Sequence, residues 1–194
     1  MPWEKTFKTE DAISRAQKVF WSKGYEATSL SDLTEGMGIN KGSLYNAFGN
    51  KKKLFTLALL QYDRDNGQKT IESLKSIEDP VVAIKTLFDG LIAQSVSDDE
   101  RKGCFLVNTA LELPHHDDDI REMVESALGD MEKFFKKLIV DGHKSGKISK
   151  NVKAGETAKS LLSLVVGLRV LARGIFDVKG LRAIRNDAIR LISQ

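Results

Sequence analysis

A chain of 194 residues, 41% hydrophobic and 29% charged, is long enough for a small domain joined to a larger one and can bury a core. No apolar run approaches the roughly 20 residues of a bilayer span. Met1-Pro2-Trp3-Glu4-Lys5 lacks the layout of a secretory leader, and a lone cysteine, Cys104, excludes an intrachain disulfide, so the expected compartment is the cytoplasm. The net charge of +3 is concentrated. Residues 1–60 hold nine Lys or Arg against six Asp or Glu, whereas residues 61–194 hold 21 of each. Between Met37 and Lys53 there are four lysines and no acid, a bias that suits a polyanionic partner.

In chain order, Thr9 reads as an N-cap with Glu10 and Asp11 in the first turn. Ile13, Ala16, Val19 and Phe20 mark one face of a first helix that stops near Gly24. Ser29 caps a second helix carrying Leu30, Leu33 and Met37 inward, and Gly36 and Gly38 supply a break. Asn40 caps a third, with Leu44 and Phe48 one turn apart on its buried side. Asn50 caps a longer helix from Lys51, bearing Leu54, Leu57 and Ala58 and running to about Ile77, where Glu78-Asp79-Pro80 punctuates the chain.

The remainder predicts further helices at 80–96, at 104–113 up to Pro114, from Asp118 or Asp119 to about His143, at 154–174 and at 179–192. The fold class is therefore all-α, with about nine helices. The expected domains are 1–60, with a helix-turn-helix over about 29–48, and 61–194. The helix at 154–174 is apolar on much of its circumference, so a second subunit is expected on one side. A four-helix contact through 119–143 and 154–174 is the expected arrangement.

Short helix, glycine-containing turn, short helix is the helix-turn-helix layout. With Leu44 and Phe48 inward, Lys41, Gly42, Tyr45 and Asn46 face out, with side chains able to bond bases or phosphates and a glycine that admits a close backbone approach. Lys51 stands at a positive helix end, unfavourable unless an anion such as a DNA phosphate lies there.

Gly24-Tyr25-Glu26-Ala27-Thr28-Ser29, Asp32-Leu33, Gly38-Ile39-Asn40-Lys41-Gly42-Ser43-Leu44-Tyr45, Phe48 and Asn50-Lys51 together resemble the TetR-family DNA-binding domain over about Thr9–Tyr62. The resemblance implies a homodimeric, all-helical regulator, usually a repressor, that binds double-stranded operator DNA and is controlled by a small-molecule effector. It further implies that Thr28 or Ser29 meets phosphate at the start of the second helix. Lys41, Gly42, Tyr45 and Asn46, with Ser43 beside them, would meet the major groove or its backbone, and Lys51, followed by Lys52, would clamp a phosphate. Thr34 and Met37 stand where the family often has alanine, Lys52 where it often has an acid, and Asn46-Ala47 where an aromatic–histidine pair is frequent. These departures leave the operator sequence open.

The second half carries softer features. Cys104 enters an apolar helix behind Arg101-Lys102, where a thiol is either a reactive sensor, as in a branch of the family that senses electrophiles, or a small buried hydrophobe. Asn108 and Glu112, four apart, serve either a ligand or a neighbouring helix, with Phe88, Phe105 and Phe134 as pocket walls. His115-His116-Asp117-Asp118-Asp119 reads as helix capping in preference to a metal site. Arg169 and Arg173 read as interface or ion-pair residues in preference to anion ligands. No nucleophile–base pair, Gly-rich phosphate loop or metal triad is present, so no catalytic residue and no cofactor is expected, and a helical enzyme is the weakest of the alternatives.

Overall fold

Helices supply all the regular structure in the computed structural model, which describes residues 7–193; no strand occurs among them. The chain divides into two compact units, Met1–Asp65 and Asn66–Gln194. The N-terminal stretch Met1–Lys5, which bears on the question of a leader, lies outside the described residues.

The first unit comprises α1 (Thr9–Lys23), α2 (Leu30–Met37), α3 (Lys41–Phe48) and α4 (Lys51–Tyr62). Lys8, not Thr9, occupies the N-cap of α1, and no side chain caps it; Glu10 and Asp11 complement the positive helix end instead. Gly36 does not break the chain. It lies inside α2, where a Cβ would overlap Val19 Cγ2, so its smallness sets how closely α1 and α2 approach. Gly38 alone ends α2, in the left-handed conformation (φ 68°, ψ 33°) that favours glycine.

Phe20, Leu33, Met37, Leu44, Leu54, Phe55, Ala58 and Leu59 are fully buried in this unit. On α4 the buried face is Leu54, Phe55, Ala58, Leu59 and Tyr62, which turns Leu57 outward, contrary to expectation. After Tyr62 the chain widens into a π-helical stretch, Asp63–Gln68, before α5 (Lys69–Leu74). The long helix is thus interrupted around Asn66-Gly67, two weak helix formers, and ends short of Ile77.

The second unit continues with α6 (Pro80–Val96), α7 (Phe105–Leu111), α8 (Asp118–Ser145), α9 (Ala154–Leu171) and α10 (Val178–Ile192). Asp79 caps α6 by accepting from the Val81 and Val82 amides at 2.9 and 3.3 Å, with Pro80 preset in the first turn. Pro114 lies in a single 3-10 turn after α7, and α8 opens at Asp118, as expected, behind Asp117 in the N-cap position. α9 stops at Leu171 instead of reaching Gly174, whose φ of 112° a helix cannot hold. The core joins Phe88 of α6, Phe135 and Ile139 of α8, Leu161 and Leu168 of α9 and Leu181 of α10. Phe88 and Phe135 stack with centroids 6.4 Å apart.

An eight-residue helix such as α3 is unstable in isolation, so its packing decides whether it forms. Leu44, fully buried, is its main anchor. Leu44→Ala is expected to lower stability by about 3 kcal/mol, measured by urea unfolding followed through tryptophan fluorescence.

Candidate nucleic-acid interface

The helix-turn-helix is set by caps. Ser29 and Asp32 form a reciprocal capping box at α2: Ser29 Oγ accepts from the Asp32 amide at 3.1 Å, and the Ser29 amide donates to Asp32 Oδ2 at 2.8 Å. Lys23, at the end of α1, pairs with the other carboxylate oxygen at 2.5 Å and so ties α1 to α2. In the turn, Arg15 reaches from α1 to the Met37 carbonyl at 3.0 Å, holding the α2 terminus from outside the motif.

Asn40 then caps α3 through the Ser43 amide, and Asn50 caps α4 through the Lys53 amide, each at 2.8 Å. Both caps are neutral, and neither helix has an acid in its first turn. Two successive positive helix ends therefore stand uncompensated next to lysines, an arrangement complementary to phosphates.

On α3, Lys41, Gly42, Tyr45 and Asn46 are exposed, and the Lys41 ammonium lies 6.0 Å from the Tyr45 ring centroid. Lys51 and Lys52 are half-buried at the start of α4. The Lys51 ammonium sits 4.4 Å from the Tyr25 ring centroid, and that ring packs on Phe55 and Phe20 at 4.8 and 6.2 Å. Tyr25 thus holds the lysine over a rigid aromatic base. Arg15, Lys23 and Tyr25 have no role legible in the sequence pattern, because each reaches a residue far along the chain or on another helix. Two of the residues expected at the DNA face are buried. Thr28 is buried, its hydroxyl donating to the Gly24 carbonyl at 2.6 Å, and Ser43 is buried on the inner side of α3. Ser29 is exposed, with its hydroxyl engaged in the capping box.

In the second unit, Phe88 and Phe134 belong to the packed core and Phe105 is buried. Cys104 is half-buried at the N-cap position of α7. Asn108 donates to the Lys102 carbonyl at 2.8 Å and accepts from Arg173 at 3.5 Å, while Glu112 lies 3.8 Å from the buried His116 ring. A groove of about 500 Å³ between α6 and α10, lined by Asp89, Ile92, Ala93, Val96, Val178 and Arg182, includes none of the six residues expected at a ligand site. Among the described residues no group of three or more His, Cys, Asp or Glu is placed to hold a metal ion.

A capped α2–turn–α3 pair packed on α1 and α4, with a short α3 whose outer face is basic and exposed, defines a helix-turn-helix DNA-binding protein. Residues 12–58 match the model of bacterial regulatory proteins, tetR family, and residues 80–186 match a tetracyclin repressor-like C-terminal domain. The chain belongs to the TetR family and is a DNA-binding transcriptional regulator. It is 29% identical over 191 residues to the HTH-type transcriptional repressor ComR of Escherichia coli, covering 96% of this chain and 90% of that protein. It is 33% identical over 132 residues to the uncharacterized regulator YezE of Bacillus subtilis, covering 68% of each. Among solved structures, a cysteine mutant of the TetR-family regulator CifR in complex with a 26 bp operator duplex superimposes with a TM-score of 0.85. It is 29% identical and covers 97% of this chain and 98% of that one.

The Asp32 carboxyl is held well below the usual carboxylate range, first by the Lys23 ammonium and then by the Ser29 amide and hydroxyl. A depressed folded-state pKa adds stability that is present above the ordinary carboxylate range and is lost as pH falls through the folded value. Asp32→Asn is therefore expected to melt below wild type at pH 7, with the gap narrowing below about pH 4, as read from melting temperatures across a pH series. A gap independent of pH would contradict this linkage.

Proposed function

We propose that the chain is a repressor that binds a pseudo-palindromic operator as a homodimer, with α3 of each subunit in the major groove, and that a small-molecule effector in the C-terminal unit releases it. DNA binding is assigned to residues 1–60 and ligand binding and self-association to residues 61–194. The observation that carries this reading is the outward set Lys41, Gly42, Tyr45 and Asn46 beside Lys51, on two helix starts without an acid. ComR is named a repressor, and CifR was solved on its operator, which supports the same role here.

Dimerisation is supported by α9, where Leu162, Val166 and Val170 stand one turn apart and half-buried in the single chain, an apolar stripe for a second copy to cover. The family is one of regulators, and the role assigned is non-enzymatic and exercised in the cytoplasm, where the DNA is. No helix among the described residues is long and apolar enough to cross a membrane. By linkage, an effector releases DNA only as far as it prefers the non-binding state.

A second mode of control is favoured by the position of Cys104, half-buried at the N-cap of α7 behind Arg101-Lys102-Gly103. Under that reading, N-ethylmaleimide releases the operator from wild type and not from Cys104→Ser; release from both would exclude it.

Tyr45→Ala is expected to weaken operator binding and to relax sequence preference. Lys51→Ala is expected to weaken binding to every duplex and to reduce the slope of log affinity against log salt by about 0.9 for each phosphate it no longer neutralises. Fluorescence anisotropy over a salt series measures both, and unchanged binding in both variants would show that this face does not meet DNA.

A further inference from the structure

We infer that the C-terminal unit receives an oxyanion, the carboxylate or phosphate group of a small molecule, at Arg169 of α9 and Arg173 of the turn that follows it, beside the loop that leads into α7. The inference deepens the effector reading and rests on it. Arg169 is only 8% exposed, yet its guanidinium meets no carboxylate among the described residues. Nη2 donates to Gln94 Oε1 at 2.6 Å and Nη1 to Ser95 Oγ at 3.4 Å, both neutral acceptors at the end of α6. One turn on, Arg173 donates from Nε to the Arg101 carbonyl at 3.2 Å and from Nη1 to Asn108 Oδ1 at 3.5 Å, again neutral.

The surrounding loop holds three acids, Asp98, Asp99 and Glu100, against Arg101 and Lys102, and none of the three pairs with Arg169 or Arg173 among the described residues. The Arg101 guanidinium makes no hydrogen bond or ion pair among the described residues and lies against Gly174. Two acids of the loop are engaged elsewhere: Asp98 Oδ2 accepts from the Gly103 amide at 3.0 Å, and Glu100 pairs with Lys102 at 3.2 Å. Of the interface or ion-pair role expected of Arg169 and Arg173, the ion pair therefore finds no partner among the described residues.

A largely buried guanidinium without a counter-charge costs stability, and its planar fork is matched by two oxygens of a carboxylate or phosphate. The loop is also shaped to Arg173. Gly103 has φ 71°, and a Cβ there would stand 2.9 Å from Arg173 Cδ, so only glycine lets the arginine stem lie across the chain. Asn108 clips the same loop through the Lys102 carbonyl. The end of α6, the entry to α7, the last turn of α9 and the turn after it thus converge on two cations that an anionic ligand would link.

The test is thermal unfolding of the full chain, wild type, Arg169→Met and Arg173→Gln, titrated with sodium phosphate and with sodium octanoate against chloride at constant ionic strength. One anion is expected to raise the wild-type melting temperature saturably; phosphate alone would identify a phosphoryl group, octanoate alone an aliphatic carboxylate. Arg173→Gln is expected to raise the apparent dissociation constant at least about tenfold. Arg169→Met is expected to abolish the response without lowering the anion-free melting temperature, since an uncompensated charge is removed. No saturable response to either anion would overturn the inference. So would an anion-free Arg169→Met that melts lower, which would mean that its present partners or an acid from a second copy already satisfy the arginine. Operator binding by the anion-free protein, measured on the same samples, tests the regulator reading separately: failure there with an intact melting response would leave the anion site standing.

Discussion

A helix of two turns cannot hold itself, and everything proposed for DNA contact in this protein depends on how α3 is held by others. Leu44 and Phe48 fasten its inner face to the first unit's core, and Asn40 and Asn50 satisfy amides at its own start and at the start of α4. Because the caps are neutral, the positive helix ends survive as surface charge. Asp in their place would hold the same amides and neutralise the field that a phosphate needs. Further anchors come from outside the motif: Arg15 on the Met37 carbonyl, Lys23 on Asp32, and the Tyr25 ring under Lys51.

Much of this was legible in the sequence because it is local. Caps three residues from the amide they bind, apolar residues one turn apart and a left-handed Gly38 are all short-range signals, and Ser29, Asn40, Asn50, Leu44 and Phe48 stand where spacing put them. What escaped is what depends on packing between helices. Gly36, which the pattern reads as a break, is a close-approach residue against Val19, and Leu57, which it reads as inward, is exposed. Thr28 and Ser43 have hydroxyls that suit a phosphate, yet burial turns them from solvent, and no local pattern distinguishes the two cases.

The C-terminal unit reverses the balance. Its core is a conventional apolar assembly that periodicity foretold, while its polar groups could be interpreted only once their partners were visible. Asn108 and Glu112 find neighbours within the unit. Arg169 and Arg173, expected as interface or ion-pair residues, find neutral acceptors within the unit, and that mismatch between charge and partner is what the proposed anion site rests on.

Sequence-specific recognition by paired copies of α3 is the claim on which the regulatory role turns. Selection of binding sites from a random duplex pool, at near-physiological salt, tests it most directly. The expected result is enrichment of an inverted repeat whose half-site centres lie about one helical turn, or a multiple of it, apart. A folded protein that enriches no sequence, or only a single asymmetric site, would contradict it.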